Sequence, residues 1–189
     1  MPVLLLLLAL LHGAPLVAQG PLSLEVRAGA VLPTGSFRSR TLAEPGPGFG
    51  VQFVYRRTAN RAFYVGFDQE RFGCDPAACR GEELVSTGWA LGTRLQLAPE
   101  AAWAPWLRLG MVFDRVEGEL FHGDGAPPSD DVSDLGLGGE AGVGAVVRVG
   151  GRFSLSPGAR YRILNTRFDD AGLVRLRSFG LELGMVMGF

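Results

Sequence analysis

The chain has 189 residues, of which 47% are hydrophobic and 20% charged, and its formal net charge is −1. That length fits one domain, and the balance carries neither the basic excess of a nucleic-acid binder nor an acidic tail. The 28 glycines exceed what interior helices or ordinary strands favour, whereas curved barrels with crowded interiors tolerate them.

The first element is the apolar run Val3 to Leu11 in MPVLLLLLALLHGAPLVAQG, broken by Gly13 and Pro15. It is shorter than the about 20 residues of a membrane-spanning helix and matches the apolar centre of a secretory signal. Cleavage is expected after Ala18, leaving residues 1–18 as signal peptide and 19–189 as the mature domain. The start lacks a basic residue, and Leu16 stands where a small side chain is usual. No cysteine lies near the cut, so no lipid-modified terminus is expected. His12 leaves with the signal, and His122 is then the one histidine of the mature chain.

Beyond residue 20 no apolar stretch is long enough for a helical span; what recurs is a two-residue alternation, which sends successive side chains to opposite faces of a strand. PLSLEVRAGAVL sets Leu22, Leu24, Val26, Ala28, Ala30 and Leu32 against Glu25 and Arg27. FGVQFVYR sets Phe49, Val51, Phe53 and Tyr55 against Gln52 and Arg56; AFYVGFDQE sets Phe63, Val65 and Phe67 against Tyr64, Asp68 and Glu70. VSTGWALGTRLQL opposes Trp89, Leu91 and Leu95 to Ser86 and Arg94, and PWLRLGMVFD opposes Leu107, Leu109, Met111 and Phe113 to Arg108 and Asp114. LGLGGEAGVGAVVRV places Leu137, Val143 and Val147 opposite Glu140 and Arg148. In FSLSPGARYRI, Phe153, Leu155, Tyr161 and Ile163 oppose Arg160 and Arg162, while Pro157 falls on the apolar series and suggests a bulge. The eighth segment, FGLELGMVMGF, sets Phe179, Leu181, Leu183, Met185, Met187 and Phe189 against glycines and Glu182.

The connections alternate as well. RRTAN, APEAAWA and GGR are short; PTGSFRSRTLAEPGPG, FGCDPAACRGEE, RVEGELFHGDGAPPSDDVSD and NTRFDDAG are longer. In an up-and-down antiparallel sheet these fall at opposite rims, the outer-membrane pattern with short turns on the periplasmic side. Four residues, a Pro among them, separate Cys74 from Cys79 in one of the long loops, and in an oxidising compartment a local disulfide is expected.

Two facings are open. With the apolar series inward, the charges would face water, as in a soluble lipocalin-like barrel. With it outward, they fill the lumen. Eight strands enclose room for side chains but no wide channel, and the apolar series is the bulky one, so volume favours apolar-out. The segments run to about the 9–11 residues of a tilted membrane strand. Trp103, Trp106, Tyr55 and Phe153 lie near the short-turn ends, where an aromatic girdle belongs. A one-residue slip would carry each arginine into lipid at about 2–4 kcal/mol near the midplane.

The fold class expected is therefore all-β, an eight-stranded antiparallel up-and-down transmembrane β-barrel. Over residues 19–189 the chain resembles the small outer-membrane β-barrel proteins of diderm bacteria, of the OmpX, OmpW and OmpA-barrel kind. The most specific match is the ending: Leu181, Leu183, Met185, Met187 and a final Phe189 at alternate positions. In that family such an ending is read by the barrel-assembly machinery, so the resemblance implies this machinery as a partner during insertion. GAVLPTGSF is similar to the first strand and loop of such barrels, and nothing here matches the peptidoglycan-binding domain of full-length OmpA-type proteins.

The expected lumen network comprises Glu25, Arg27, Arg56, Asp68, Glu70, Arg94, Arg108, Glu140, Arg148, Arg160, Arg162 and Glu182, because buried charges must be paired. A plug that stiffens the barrel is favoured over a narrow, gated small-solute path. Some small outer-membrane barrels are lipid A deacylases or acyltransferases, the deacylase type with a Ser-His-Glu arrangement. Here the lone His122 sits in a loop with no serine two residues on, and a serine nucleophile needs a base within reach, so no catalytic residue is expected. Asp124, Asp130, Asp131 and Asp134 lack the EF-hand order of Ca²⁺ ligands. GLGGEA fits a phosphate-loop pattern by accident, since no helix follows. No metal or cofactor is expected. Arg71, Arg175 and Arg177 share the lipid-facing parity at the long-loop rim and are expected to pair with lipopolysaccharide phosphates. The expected role is structural or surface-interactive, with outer-membrane lipid as surroundings and a loop ligand that the sequence does not specify.

Overall fold

The computed structural model describes residues 20–35, 43–74, 83–119, 130–168 and 172–189. The expected signal peptide, His122, Asp124 and Cys79 lie outside these residues. Ten strands follow one another: β1 Leu22–Pro33, β2 Ala43–Glu44, β3 Gly46–Arg56, β4 Arg61–Cys74, β5 Leu84–Gln96, β6 Trp103–Glu119, β7 Asp130–Val132, β8 Gly136–Gly150, β9 Phe153–Phe168 and β10 Gly172–Gly188. Eight of them, all but the short β2 and β7, pair antiparallel in chain order, and β1 pairs β10 to close the barrel. β2 adds to the rim end of β4, and β7 to that of β6. Closure leaves no open strand edge, which is what a sheet in lipid requires.

The alternation read from the sequence sets the facing. Leu109, Trp89, Leu183, Met185, Phe53 and Leu137 are among the large apolar side chains on the outside, while the interleaved Glu25, Arg27, Asp68, Arg108, Glu140 and Arg162 are buried inside. Apolar outside and charged inside is the reverse of a water-soluble barrel and fits lipid surroundings. The C-terminal series lies on this outer wall, in register with β1: Leu181 opposite Ala30, Leu183 opposite Ala28, Met185 opposite Val26 and Met187 opposite Leu24. Both ends of the barrel chain meet at the short-turn rim, where the Phe189 N–H donates to the Leu22 carbonyl at 3.0 Å.

Three expectations are corrected. Trp106 is not part of a girdle: it is 1% exposed and points into the lumen. Its parity matches Arg108 rather than Leu107, and near a strand end an aromatic can cap the interior as readily as the rim. Tyr55, Trp103 and Phe153 do lie exposed at the short-turn end. Pro157 marks no bulge. The β9–β10 register runs unbroken through Pro157 opposite Leu183, and the irregularity falls instead between Arg148 and Gly150 on β8. Pro157 lacks an N–H to give β8, and the β8–β9 pairing skips from Gly144–Gly158 to Val147–Leu155 without changing register.

The last correction concerns NTRFDDAG. Most of it is strand, since β9 runs on to Phe168, which pairs with Gly172. Alternation continues through these residues, with Leu164, Thr166 and Phe168 turned inward, so a stretch polar enough to read as loop is an extended hairpin.

The long strands change the interior along the barrel. At the long-loop end the inward side chains are mostly apolar: Val31, Ala43, Phe72, Leu84, Val116, Leu164, Phe168 and Leu176 belong to one buried cluster, with Ser133, Thr166 and Ser178 among them. Strands of 14 to 17 residues, such as β4, β6 and β10, exceed the about 9–11 that span hydrocarbon. Their upper parts pack a core of the soluble kind above the charged layer.

Candidate functional site

Below that apolar cap lies the charged layer. Six carboxylates, Glu25, Asp68, Glu70, Asp114, Glu140 and Glu182, face five guanidinium groups, Arg27, Arg94, Arg108, Arg160 and Arg162. Each occupies an inward position of its strand, and together they come from every barrel strand but β3, which contributes Gln52. Arg162 is the hub: its terminal nitrogens lie 2.9 Å from Asp68, 3.0 Å from Asp114, 3.1 Å from Glu140 and 3.5 Å from Glu70. Arg160 reaches Glu70 at 2.8 Å and Asp68 at 3.3 Å. Arg27 joins Asp68 at 2.8 Å to Glu182 at 3.5 Å, and Arg108 meets Glu182 at 2.9 Å and Glu140 at 3.6 Å. Lower in the barrel, Glu25 accepts from both Gln52 and Arg94 at 2.8 Å.

Aromatic side chains complete the layer. The Tyr64 hydroxyl donates to Glu140 at 2.7 Å. The Arg108 guanidinium sits 5.9 Å from the Tyr64 ring centre and 5.5 Å from that of Trp106, and Arg94 lies 4.6 Å over Trp106. Desolvated cation–π contacts of this kind contribute about 2 kcal/mol each. Glycines make the space. A β-carbon on Gly158 would stand 2.8 Å from the Trp106 indole, and one on Gly92 would stand 2.7 Å from the Tyr64 hydroxyl. The sequence's glycine richness on this face is therefore the room its large lumen side chains occupy.

The structure brings together ten of the twelve residues expected in the lumen network: Glu25, Arg27, Asp68, Glu70, Arg94, Arg108, Glu140, Arg160, Arg162 and Glu182. Arg56 and Arg148 lie at the short-turn mouth, partly exposed, where Arg148 donates to the Pro99 carbonyl at 2.6 Å. Sequence reading missed the part of Asp114, bonded by Arg162 and by Ser86 at 3.1 Å, and of Tyr64, Gln52 and Trp106. All four lie on inward parity beside named charges, and that parity was the available signal.

Chemically, this arrangement holds charges in place rather than moving them. Each of the five arginines of the layer contacts at least one carboxylate, and the free space beside Arg27, Asp68 and Arg160 is about 10 Å³, about what a single water needs. Among the described residues no group of three His, Cys, Asp or Glu side chains is placed to hold a metal ion. Cys74 ends β4, and its expected partner Cys79 lies outside the described residues. At the long-loop rim, Arg71 pairs with Glu83 at 3.5 Å and Arg175 donates to Asn165 at 2.9 Å, both on the outer wall.

No protein-family model matches this chain, and no curated protein does. Its fold is nevertheless that of small outer-membrane barrels. Neisserial surface protein A superposes with a TM-score of 0.67 at 18% identity, over 91% of this chain and 99% of that one. The outer membrane protein OprG of Pseudomonas aeruginosa gives 0.57 at 12% identity, over 88% and 96%. A major outer membrane protein of Thermus thermophilus gives 0.54 at 12% identity, over 89% and 99%.

Proposed function

We propose that the chain is an integral protein of a bacterial outer membrane with a closed, non-conducting lumen, and that it acts as a structural or surface-contact element through its long-loop end. The observation that carries this reading is the doubly blocked interior. An ion-paired layer fills the middle of the barrel, and the apolar cluster from Val31 to Leu176 covers it on the long-loop side. A permeating ion would have to break several buried pairs, each costing several kcal/mol to separate, and then cross an unhydrated cap. Catalysis has no part in the reading.

Export by residues 1–18, insertion through the C-terminal series Leu181 to Phe189 and a Cys74–Cys79 bridge belong to the same proposal. So does contact between the outward arginines at the long-loop rim, Arg71, Arg175 and Arg177, and lipopolysaccharide phosphates. Arginine suits such phosphates through paired N–H donors, and these three occupy outward positions where apolar neighbours give way to polar ones.

Planar-bilayer recording on the purified, refolded protein is the test. Silent bilayers, together with heat-modifiable gel migration showing a folded barrel, are expected. Steady single-channel steps would overturn the closed lumen.

A further inference from the structure

The two rims differ in charge. Among the described residues of the short-turn rim, Arg57, Arg61 and Arg152 are exposed, Arg56 and Arg148 sit just inside the mouth, and Glu100 is the one carboxylate side chain. The long-loop rim, by contrast, mixes the two signs: Arg71 pairs with Glu83, and Arg115, Arg167, Arg175 and Arg177 share that rim with Glu44, Glu117 and Asp134. At the short-turn rim a groove of about 470 Å³ opens between the β3–β4 turn and the wall of β4 and β5. Arg57, Thr58 and Arg61 line its rim-side lip, Phe63, Thr93 and Leu95 of the lipid-facing series line its outer wall, and the inward Ala62 and Arg94 complete its floor.

The turn holds the two arginines side by side. The Arg57 and Thr58 N–H groups both donate to the Arg61 carbonyl, at 2.9 and 3.1 Å, and the Arg61 N–H donates to the Thr58 hydroxyl at 3.1 Å. Their backbones are fixed while both side chains stay exposed, and among the described residues neither guanidinium has a carboxylate partner. Two unneutralised, adjacent cations at the head of an apolar furrow match an anionic headgroup with an acyl chain behind it. Both halves are needed: the guanidinium pair suits a phosphate diester, and the Phe63–Leu95 wall suits hydrocarbon.

We infer that this groove is a binding site for an anionic phospholipid of the periplasmic leaflet, with phosphate at Arg57 and Arg61 and one acyl chain along Phe63 and Leu95. The inference rests on the membrane-barrel reading, which places the short turns in the periplasm. The phospholipid leaflet is the one this rim would meet. The site would anchor the barrel's depth and rotation at the leaflet opposite the long loops.

Native mass spectrometry of the full refolded chain tests this with dioleoyl phosphatidylglycerol and dioleoyl phosphatidylcholine as probes. Phosphatidylglycerol is expected to stay bound preferentially and to dissociate as salt rises. Each arginine near an anionic headgroup contributes about fivefold, so R57Q/R61Q is expected to lose about 25-fold and each single variant about fivefold. Unchanged retention in all three variants would overturn the site. Displacement by inorganic phosphate as effective as by intact lipid would overturn the acyl half and leave only an anion contact. Heat-modifiable migration of wild type and variants separates the two levels: a wild type that never shows it refutes the barrel reading itself, whereas folded protein without lipid preference refutes the groove alone.

Discussion

Replacing Arg162 by Met keeps a side chain of similar reach and removes the charge at the centre of the lumen. In the folded barrel its guanidinium faces four carboxylates, Asp68, Glu70, Asp114 and Glu140, at 2.9 to 3.5 Å. At an effective dielectric near 20 each such pair is worth about 5 kcal/mol in gross Coulomb attraction, most of it offset by desolvation. What the variant exposes is the remainder: carboxylates left buried with too few partners, a loss that typically costs about 3–5 kcal/mol. The buried layer would go from six carboxylates and five guanidinium groups to six and four. Reversible urea unfolding in phospholipid vesicles, followed by tryptophan fluorescence, measures the difference. Adding Asp114→Asn to Arg162→Met should restore at least about 1 kcal/mol, because the two side chains share a contact and so are not additive. An Arg162→Met barrel within about 1 kcal/mol of wild type, the range of exposed ion pairs, would refute the claim that the layer is dry and closely coupled.

Leu109→Arg, on the outer wall where Leu109 is 66% exposed, should destabilise the barrel by about 2–4 kcal/mol in vesicles if it lies near the midplane. Leu173→Arg, beside Arg167 near the long-loop rim, should cost about 0–1 kcal/mol in the same assay; equal costs would contradict the depth assignment. With Trp89 and Trp103 both changed to Phe, the remaining Trp106 should resist quenching by brominated acyl chains, since it is walled inside the barrel; quenching as strong as in the parent would place it outside. Tyr64→Phe removes the donor to Glu140 and should cost about 1–3 kcal/mol in equilibrium unfolding. A neutral result would mean that Glu140 is satisfied by its arginines alone.

The facing of each strand was legible because only two parities exist, and one of them put every strongly charged midstrand residue on the same side. Arg108, Glu140 and Glu182 could be assigned to the lumen without knowing which partner each would find. The partners were not legible: Arg162 meets Glu140 across a neighbouring strand pair but Asp68 across the barrel, and cross-lumen geometry depends on stagger and tilt rather than on sequence spacing. Trp106 misled because aromatics near strand ends serve both girdles and interior caps; its parity with Arg108 outweighed its position. NTRFDDAG read as loop because its outward members Asn165 and Arg167 are polar, as they should be above the hydrocarbon. The inward Leu164, Thr166 and Phe168 still keep the alternation. The change from charged to apolar interior along one barrel has the same origin, since residues above the membrane plane face the ordinary economics of water.

The greasy cap at the long-loop end is built from strand residues such as Phe72, Leu84, Val116, Leu164 and Phe168. The segments between those strands can therefore be rewritten in sequence and length while the frame beneath stays intact. Insertions there would lengthen a tether whose two ends are already held by packed strands, at a cost that grows only slowly with length.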